Sequence, residues 1–178
     1  MTPVAAARRF EVPDAGAMRD LGAALGRVLG DGAVVLLSGP LGVGKTTMTQ
    51  GLALQLGVLG PVASPSFTLI REHETGRLPG RFVHMDFYRL SGEADVRSLG
   101  VGEYVDGRNT VAVEWPERAG TALDGAVGEG VVHVAMSYLD LEQAGEETVW
   151  RAVAIAGGDD ASTGMVLALE APSRVVER

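Results

Sequence analysis

The stretch Gly39-Pro40-Leu41-Gly42-Val43-Gly44-Lys45-Thr46-Thr47 has the spacing G-x-x-x-x-G-K-[ST] of a Walker A loop, with Gly39, Gly44, Lys45 and Thr46 at the fixed positions. Glycines let such a loop bend tightly and turn successive N–H groups inward, so that Gly42, Val43, Gly44, Lys45, Thr46 and Thr47 would cradle phosphate oxygens. The Lys45 ammonium would reach the β- and γ-phosphates, and the Thr46 hydroxyl would ligate Mg²⁺. The bland alternative is a glycine-rich turn, and the flanking sequence argues against it. Ala33-Val34-Val35-Leu36-Leu37 reads as a buried strand before the loop, and Met48, Leu52 and Leu56 fall on one face of a helix after it. Of the 15 basic residues, Lys45 is the single lysine and 14 are arginine. A planar guanidinium does not replace a flexible ammonium freely in a tight phosphate loop.

A phosphate loop needs carboxylates to handle a metal and a water, and two apolar runs end in one. Arg81–Asp86 reads as a strand closing on Asp86, and Thr110–Glu114 as a Walker B-like strand closing on Glu114. An acid at a strand's C-terminal end faces the ligand crevice of an open α/β sheet. The competing reading of Asp86 is a strand-end cap, and spacing alone does not assign which acid would touch Mg²⁺. Ser64, Ser66 and Thr68 alternate within Val62–Ile70, so an extended chain would point their hydroxyls one way. They suit either a switch that senses a γ-phosphate or a turn whose hydroxyls satisfy their own backbone. His84 reads as a satisfied strand histidine, and Tyr88 and Arg89 as packing and pairing residues.

These pieces need an α/β frame. At 178 residues the chain suits one domain of P-loop NTPase type over residues 1–172, a mixed central sheet flanked by helices, with Ser173–Arg178 expected to fray. Phe10-Glu11-Val12 would be a first strand, and Asp14 an N-cap for a helix over Ala15–Leu29, in which Met18, Leu21, Leu25, Val28 and Leu29 keep helical spacing. The Walker helix would end by Gly57, and a short acidic helix would span Ser91–Leu99. Val131–Ser137, Val149–Ile155 and Met165–Leu169 read as strands extending the sheet. With no cysteine, disulfides, thiol catalysis and Cys-based zinc sites are excluded. The N-terminus lacks the pattern of a signal peptide, and no apolar run approaches a membrane span, which makes the cytoplasm the expected location. A net charge of −8 argues against a broad basic surface for nucleic acid. GTPases usually read guanine with an N-K-x-D loop, which a chain whose single lysine is Lys45 does not contain, so ATP is the expected nucleotide.

Four motifs then converge. Gly39–Thr47, Ser64-Pro65-Ser66-Phe67-Thr68-Leu69, His84-x-Asp86-x-Tyr88-Arg89 and Val113-Glu114-Trp115-Pro116 stand in the order and spacing of the TsaE (YjeE) family, which the chain resembles from about Phe10 to Arg118. The resemblance implies a Mg²⁺-dependent ATPase required for threonylcarbamoyladenosine formation at position 37 of tRNA. It also implies docking on a TsaB–TsaD heterodimer, with tRNA met only through those partners. By the family pattern Lys45 binds phosphate, Thr46 and Glu114 hold Mg²⁺, Asp86 is an active-site acid that would help organise metal or water, and Ser64–Leu69, including Ser66, is the switch stretch. Two positions depart from the pattern: Ser66 stands where threonine is usual, keeping the hydroxyl, and Pro40 replaces an acid. Arg151 is the nearest candidate for a basic residue the family carries in its C-terminal strands. A P-loop small-molecule kinase and a nucleotide-gated assembly module with little turnover are the rival readings.

Overall fold

Apolar runs of five residues form the middle of the sheet because they are covered on both faces. The computed structural model describes residues 7–76, 79–124, 127–139 and 149–178. In chain order its elements are β1 (Arg8–Val12), α1 (Ala15–Val28), β2 (Val34–Ser38), α2 (Lys45–Gln55), β3 (Ile70–His73), β4 (Phe82–Asp86), α3 (Glu93–Ser98), β5 (Thr110–Glu114), β6 (Val131–Tyr138), β7 (Arg151–Gly157), α4 (Asp160–Leu167) and β8 (Val176–Glu177). The strands lie in one sheet in the order β3-β4-β5-β2-β6-β7-β1-β8. Strands β4, β5, β2 and β6 are parallel, and antiparallel pairings extend the sheet on both sides. This is the α/β architecture with a mixed sheet that the sequence predicts.

Two apolar layers hold it. On one face, Val35, Leu37, Ala112, Val134 and Ile155 pack against Met18, Leu21 and Leu25 of α1, Met48 and Leu52 of α2, and Val166 of α4. On the other, Val34, Val83, Met85, Val111 and Val113 pack beneath Val96 of α3, Val101 and Ala119. Helix α1 begins where Asp14 accepts a hydrogen bond from Ala17 N at 2.8 Å, as its N-cap position requires. Helices α1 and α2 touch backbone to backbone. A Cβ on Gly22 would stand 2.1 Å from Met48 O, and one on Gly51 2.0 Å from Arg19 O. Only glycine at these two positions lets the helices approach so closely, and this contact seats the helix that carries the Walker loop.

Two expectations are corrected. Residues 165–167 of the expected strand Met165–Leu169 instead close helix α4, because Asp159 and Ser162 form a reciprocal capping box that starts a helix five residues earlier than the apolar run. The expected frayed tail does not fray. Val176–Glu177 pairs with β1, Glu177 bridges to Arg8 at 2.6 Å, and Arg178 to Glu11 at 2.8 Å. Between the two readings left open for Ser64–Thr68, the chain turns over residues 66–68, with Thr68 exposed and Ser64 Oγ 2.5 Å from Ser66 Oγ. Among the described residues no helix is long and apolar enough to cross a membrane.

Candidate functional site

The C-terminal ends of β2, β4 and β5 deliver the chemistry to one cleft. Strand β2 feeds the Walker loop, and α2 begins at Lys45 with Gly44 as its N-cap, in a left-handed conformation (φ 119°) that a side chain would strain. Gly44 brings no side chain to cap the helix, so the N–H groups of the first turn face the cleft with the positive end of the helix dipole. In the parallel register of β4 and β5, Asp86 lies opposite Glu114. The cleft has a volume of about 320 Å³, and Gly42, Gly44, Lys45, Thr46, Thr47, Ser64, Ser66, Asp86 and Glu114 line it. Of the residues the sequence singles out for phosphate contact, Val43 alone is absent from the lining. Its side chain is sealed in the core and its N–H turns to Pro40 O at 3.4 Å.

Lys45 is almost completely buried. Its Nζ donates to Gly39 O at 2.7 Å and Pro40 O at 2.9 Å, and it sits 3.7 Å above the Trp115 ring. Burial pulls its pKa down, against the opposing pull of Glu114, Glu117 and Asp86. A buried ammonium resting on two carbonyls and an aromatic face is short of anionic charge, and this favours an anion beside it.

The two acids have different partners. Thr46 Oγ1 is 2.9 Å and 3.0 Å from the two carboxylate oxygens of Glu114, which is itself buried. Asp86 instead accepts from Ser64 Oγ at 2.5 Å and from Tyr88 N at 3.0 Å, and Ser64 Oγ lies 2.5 Å from Ser66 Oγ. Asp86 is thereby wired to the hydroxyl-bearing turn, and Glu114 to the helix that carries the phosphate loop. A hydroxyl and a carboxylate in contact are hard oxygen donors of the kind Mg²⁺ takes. Among the described residues no group of three or more His, Cys, Asp or Glu could enclose a metal. A pair of oxygen donors suits a cation that takes the rest of its shell from phosphate and water, as Mg²⁺ does at nucleotide sites.

Three contributors lie outside the sequence-based candidates. His84, read as an ordinary strand histidine, is fully buried with Nε2 2.8 Å from Glu114 Oε1. The signal was its spacing of two from Asp86, which places both on one strand face, but the partner strand is not visible without register. Trp115 adopts a left-handed backbone (φ 60°), which is costly for a bulky residue. Its N–H donates to Leu37 O at 3.1 Å, and its ring meets Tyr88 at 4.9 Å between centroids. Tyr138, at the end of β6, donates its hydroxyl to Leu41 O at 2.9 Å and so reaches the tip of the phosphate loop. Arg151 lies opposite Tyr138 in the β6–β7 register but spends a hydrogen bond on Val149 O and is not among the cleft-lining residues.

Comparison with known proteins places this geometry among relatives. A family model described as "Threonylcarbamoyl adenosine biosynthesis protein TsaE" matches residues 12–147. A protein of Nostoc sp. named tRNA threonylcarbamoyladenosine biosynthesis protein TsaE is 46% identical over 103 residues, 56% of this chain and 62% of the relative, a little under two thirds of its length. The protein of that name from Streptomyces coelicolor is 39% identical over 135 residues, covering 68% of this chain and 90% of the relative. The crystal structure of Bacillus YdiB superposes with a TM-score of 0.69 over 93% of this chain and 96% of that one, at 23% identity, a likeness of fold.

Proposed function

Because the chain belongs to the TsaE family, we propose that it is a Mg²⁺-dependent ATPase serving N6-threonylcarbamoyladenosine formation at position 37 of tRNA. In this reading it works on a TsaB–TsaD pair that handles the tRNA. The observation that carries the ATPase part is the contact of Thr46 Oγ1 with both oxygens of Glu114 at the uncapped start of α2. The tRNA part rests on the family and on the names of the relatives.

The roles follow from the contacts. The first-turn N–H groups of α2 and the loop glycines bind the phosphates. Lys45 exchanges Gly39 O and Pro40 O for phosphate oxygens, and its pKa, lowered by burial, rises again beside that negative charge. Thr46 and Glu114 would hold Mg²⁺, which would supply charge neutralisation for the phosphates. Asp86 accepts a proton-side hydrogen bond from the attacking water, and its link through Ser64 to Ser66 ties that acid to the turn that reports the γ-phosphate. Phosphoryl transfer depends on positioning, so turnover is slow until a docked partner completes the site.

The test is ATP turnover by the purified protein, alone and with a TsaB–TsaD pair, with Lys45→Ala as control. Stimulation by the pair that disappears in the variant is expected. Turnover unchanged in Lys45→Ala would refute the ATPase assignment, and a nucleotide-binding protein indifferent to the pair would refute the tRNA-modification role.

A further inference from the structure

Glu114 is held from two sides, and only one of them belongs to the phosphate loop. Thr46 Oγ1 approaches both carboxylate oxygens, at 2.9 Å and 3.0 Å. From within the sheet, His84 Nε2 reaches Oε1 at 2.8 Å, with neither residue more than 3% exposed. The other ring nitrogen, Nδ1, is buried with no hydrogen-bond partner among the described residues. An N–H at Nδ1 would therefore be a buried unsatisfied donor, whereas an N–H at Nε2 has a carboxylate in front of it. The tautomer this site accommodates is the one that donates from Nε2 to Glu114. The ring itself is fixed by packing: Phe82 lies two residues away on the same strand face, with ring centroids 6.4 Å apart, and His84 sits opposite Ala112 in the β4–β5 register.

We propose that His84 is a positioning residue for the metal: its Nε2–H fixes Oε1 of Glu114 so that Oε2, with the Thr46 hydroxyl, faces the divalent cation that accompanies a nucleoside triphosphate. This rests on the nucleotide reading above. A carboxylate free to rotate about its last torsion presents its oxygens in many orientations, and a cation such as Mg²⁺ demands near-ideal geometry from the few protein ligands it takes. Hydrogen bonds behind a metal ligand orient it, and losing one typically costs about 10–100-fold in metal affinity. Packing alone does not explain the residue, because an apolar side chain of that size would fill the space without leaving Nδ1 unpartnered.

The test uses the full chain and two substitutions that differ only in reach. The amide nitrogen of glutamine stands about where Nε2 stands in histidine, and that of asparagine stands about where Nδ1 does. Binding of Mn²⁺ in the presence of a non-hydrolysable ATP analogue is read from the free-ion electron paramagnetic resonance signal. Affinity for the analogue is measured separately in a chelator, and the melting temperature without ligand. The expected result is that His84→Gln binds Mn²⁺ within about threefold of wild type while His84→Asn binds about 10-fold or more weakly. Metal-free affinity for the analogue should be unchanged in both. Equal Mn²⁺ affinity in the two variants would overturn the proposal, as would a loss that tracks only the fall in melting temperature. A wild-type protein that binds the analogue but no Mn²⁺ with it would overturn the proposal while leaving nucleotide binding intact. Failure of the wild type to bind the analogue at all would overturn both.

Discussion

Asp86 and Glu114 stand opposite each other at the ends of adjacent parallel strands, yet their carboxylates answer to different parts of the molecule. Glu114 touches Thr46 and His84; Asp86 touches Ser64 and the Tyr88 amide. Neither strand by itself gives the two carboxylates different partners. The difference comes from what approaches each from outside the sheet, the helix α2 on one side and the turn before β3 on the other.

That division gives a paired prediction. Glu114→Gln keeps the side-chain size and removes the charge, so Mg²⁺-dependent turnover should fall about 100-fold, on the scale of losing one electrostatic contact to a transition state. The Mg²⁺ concentration needed should rise with it. Asp86→Asn should lose turnover comparably while keeping the wild-type Mg²⁺ requirement. Steady-state rates across a Mg²⁺ titration decide the matter, and identical Mg²⁺ curves for the two variants would sink the division of roles.

The frame around these acids was legible in the sequence where the signal is local. Apolar runs announced β2, β4 and β5, and Asp14 announced the start of α1. What was not legible depends on partners far along the chain. Met165–Leu169 is a short apolar run, which periodicity does not assign to helix or strand; the deciding residues, Asp159 and Ser162, lie upstream of it. Strand β8 exists because Arg8 and Glu11 receive Glu177 and Arg178 across nearly the whole chain. In the site, the fold brings Gly42, Gly44, Lys45, Thr46, Thr47, Ser66, Asp86 and Glu114 to one cleft, while the Val43 side chain faces the core. The contacts of His84, Trp115 and Tyr138 were not legible, since they arise from register, from a left-handed backbone and from the end of β6 meeting the loop at Leu41.

The glycine contact between α1 and α2 should be intolerant of even one methyl group. Gly51→Ala would force a Cβ to within 2.0 Å of Arg19 O, and Gly22→Ala to within 2.1 Å of Met48 O, both backbone atoms that do not simply swing aside. Each substitution is expected to destabilise the protein by about 1–3 kcal/mol. Helix propensity alone would favour alanine, which makes the direction informative. Denaturant unfolding measures it, and a stabilised alanine variant would show that the helices do not meet this way.

Asp159 should report its cap through pH. Burial works to raise its pKa, but hydrogen bonds from Ser162, Gly130 and Val131 outweigh that and hold it below 3.8. A depressed acid stabilises the fold above its ordinary value, and that contribution is lost as pH falls through the depressed one. Asp159→Ala should therefore cost about 1–2 kcal/mol at neutral pH, with the gap to wild type narrowing below pH 3.8. Unfolding free energies at neutral and acid pH test this, and a gap that is constant with pH would contradict it.

Lys45 should show linkage of the same sign at the alkaline end, where the protonated form is the one the fold disfavours. Its ammonium is disfavoured chiefly by burial, with Glu114, Glu117 and Asp86 recovering only part of the loss, so its pKa lies below 10.5 in the folded chain. Between that lowered value and 10.5 the unfolded chain binds more protons, and stability contributed at this site rises with pH. Without nucleotide, Lys45→Met removes the buried charge, and the stability of wild type relative to the variant should improve as pH climbs toward 10.5. Added Mg-ATP reverses the ranking at neutral pH. Ligand at about 100 times Kd stabilises a binding-competent chain by about 2.7 kcal/mol, and the methionine variant should gain almost none of it. Melting curves over pH, with and without nucleotide, separate the two effects. A wild-type disadvantage that grows with pH would mean the ammonium is stabilised by its surroundings, and that an anion is not what this cleft is built to receive.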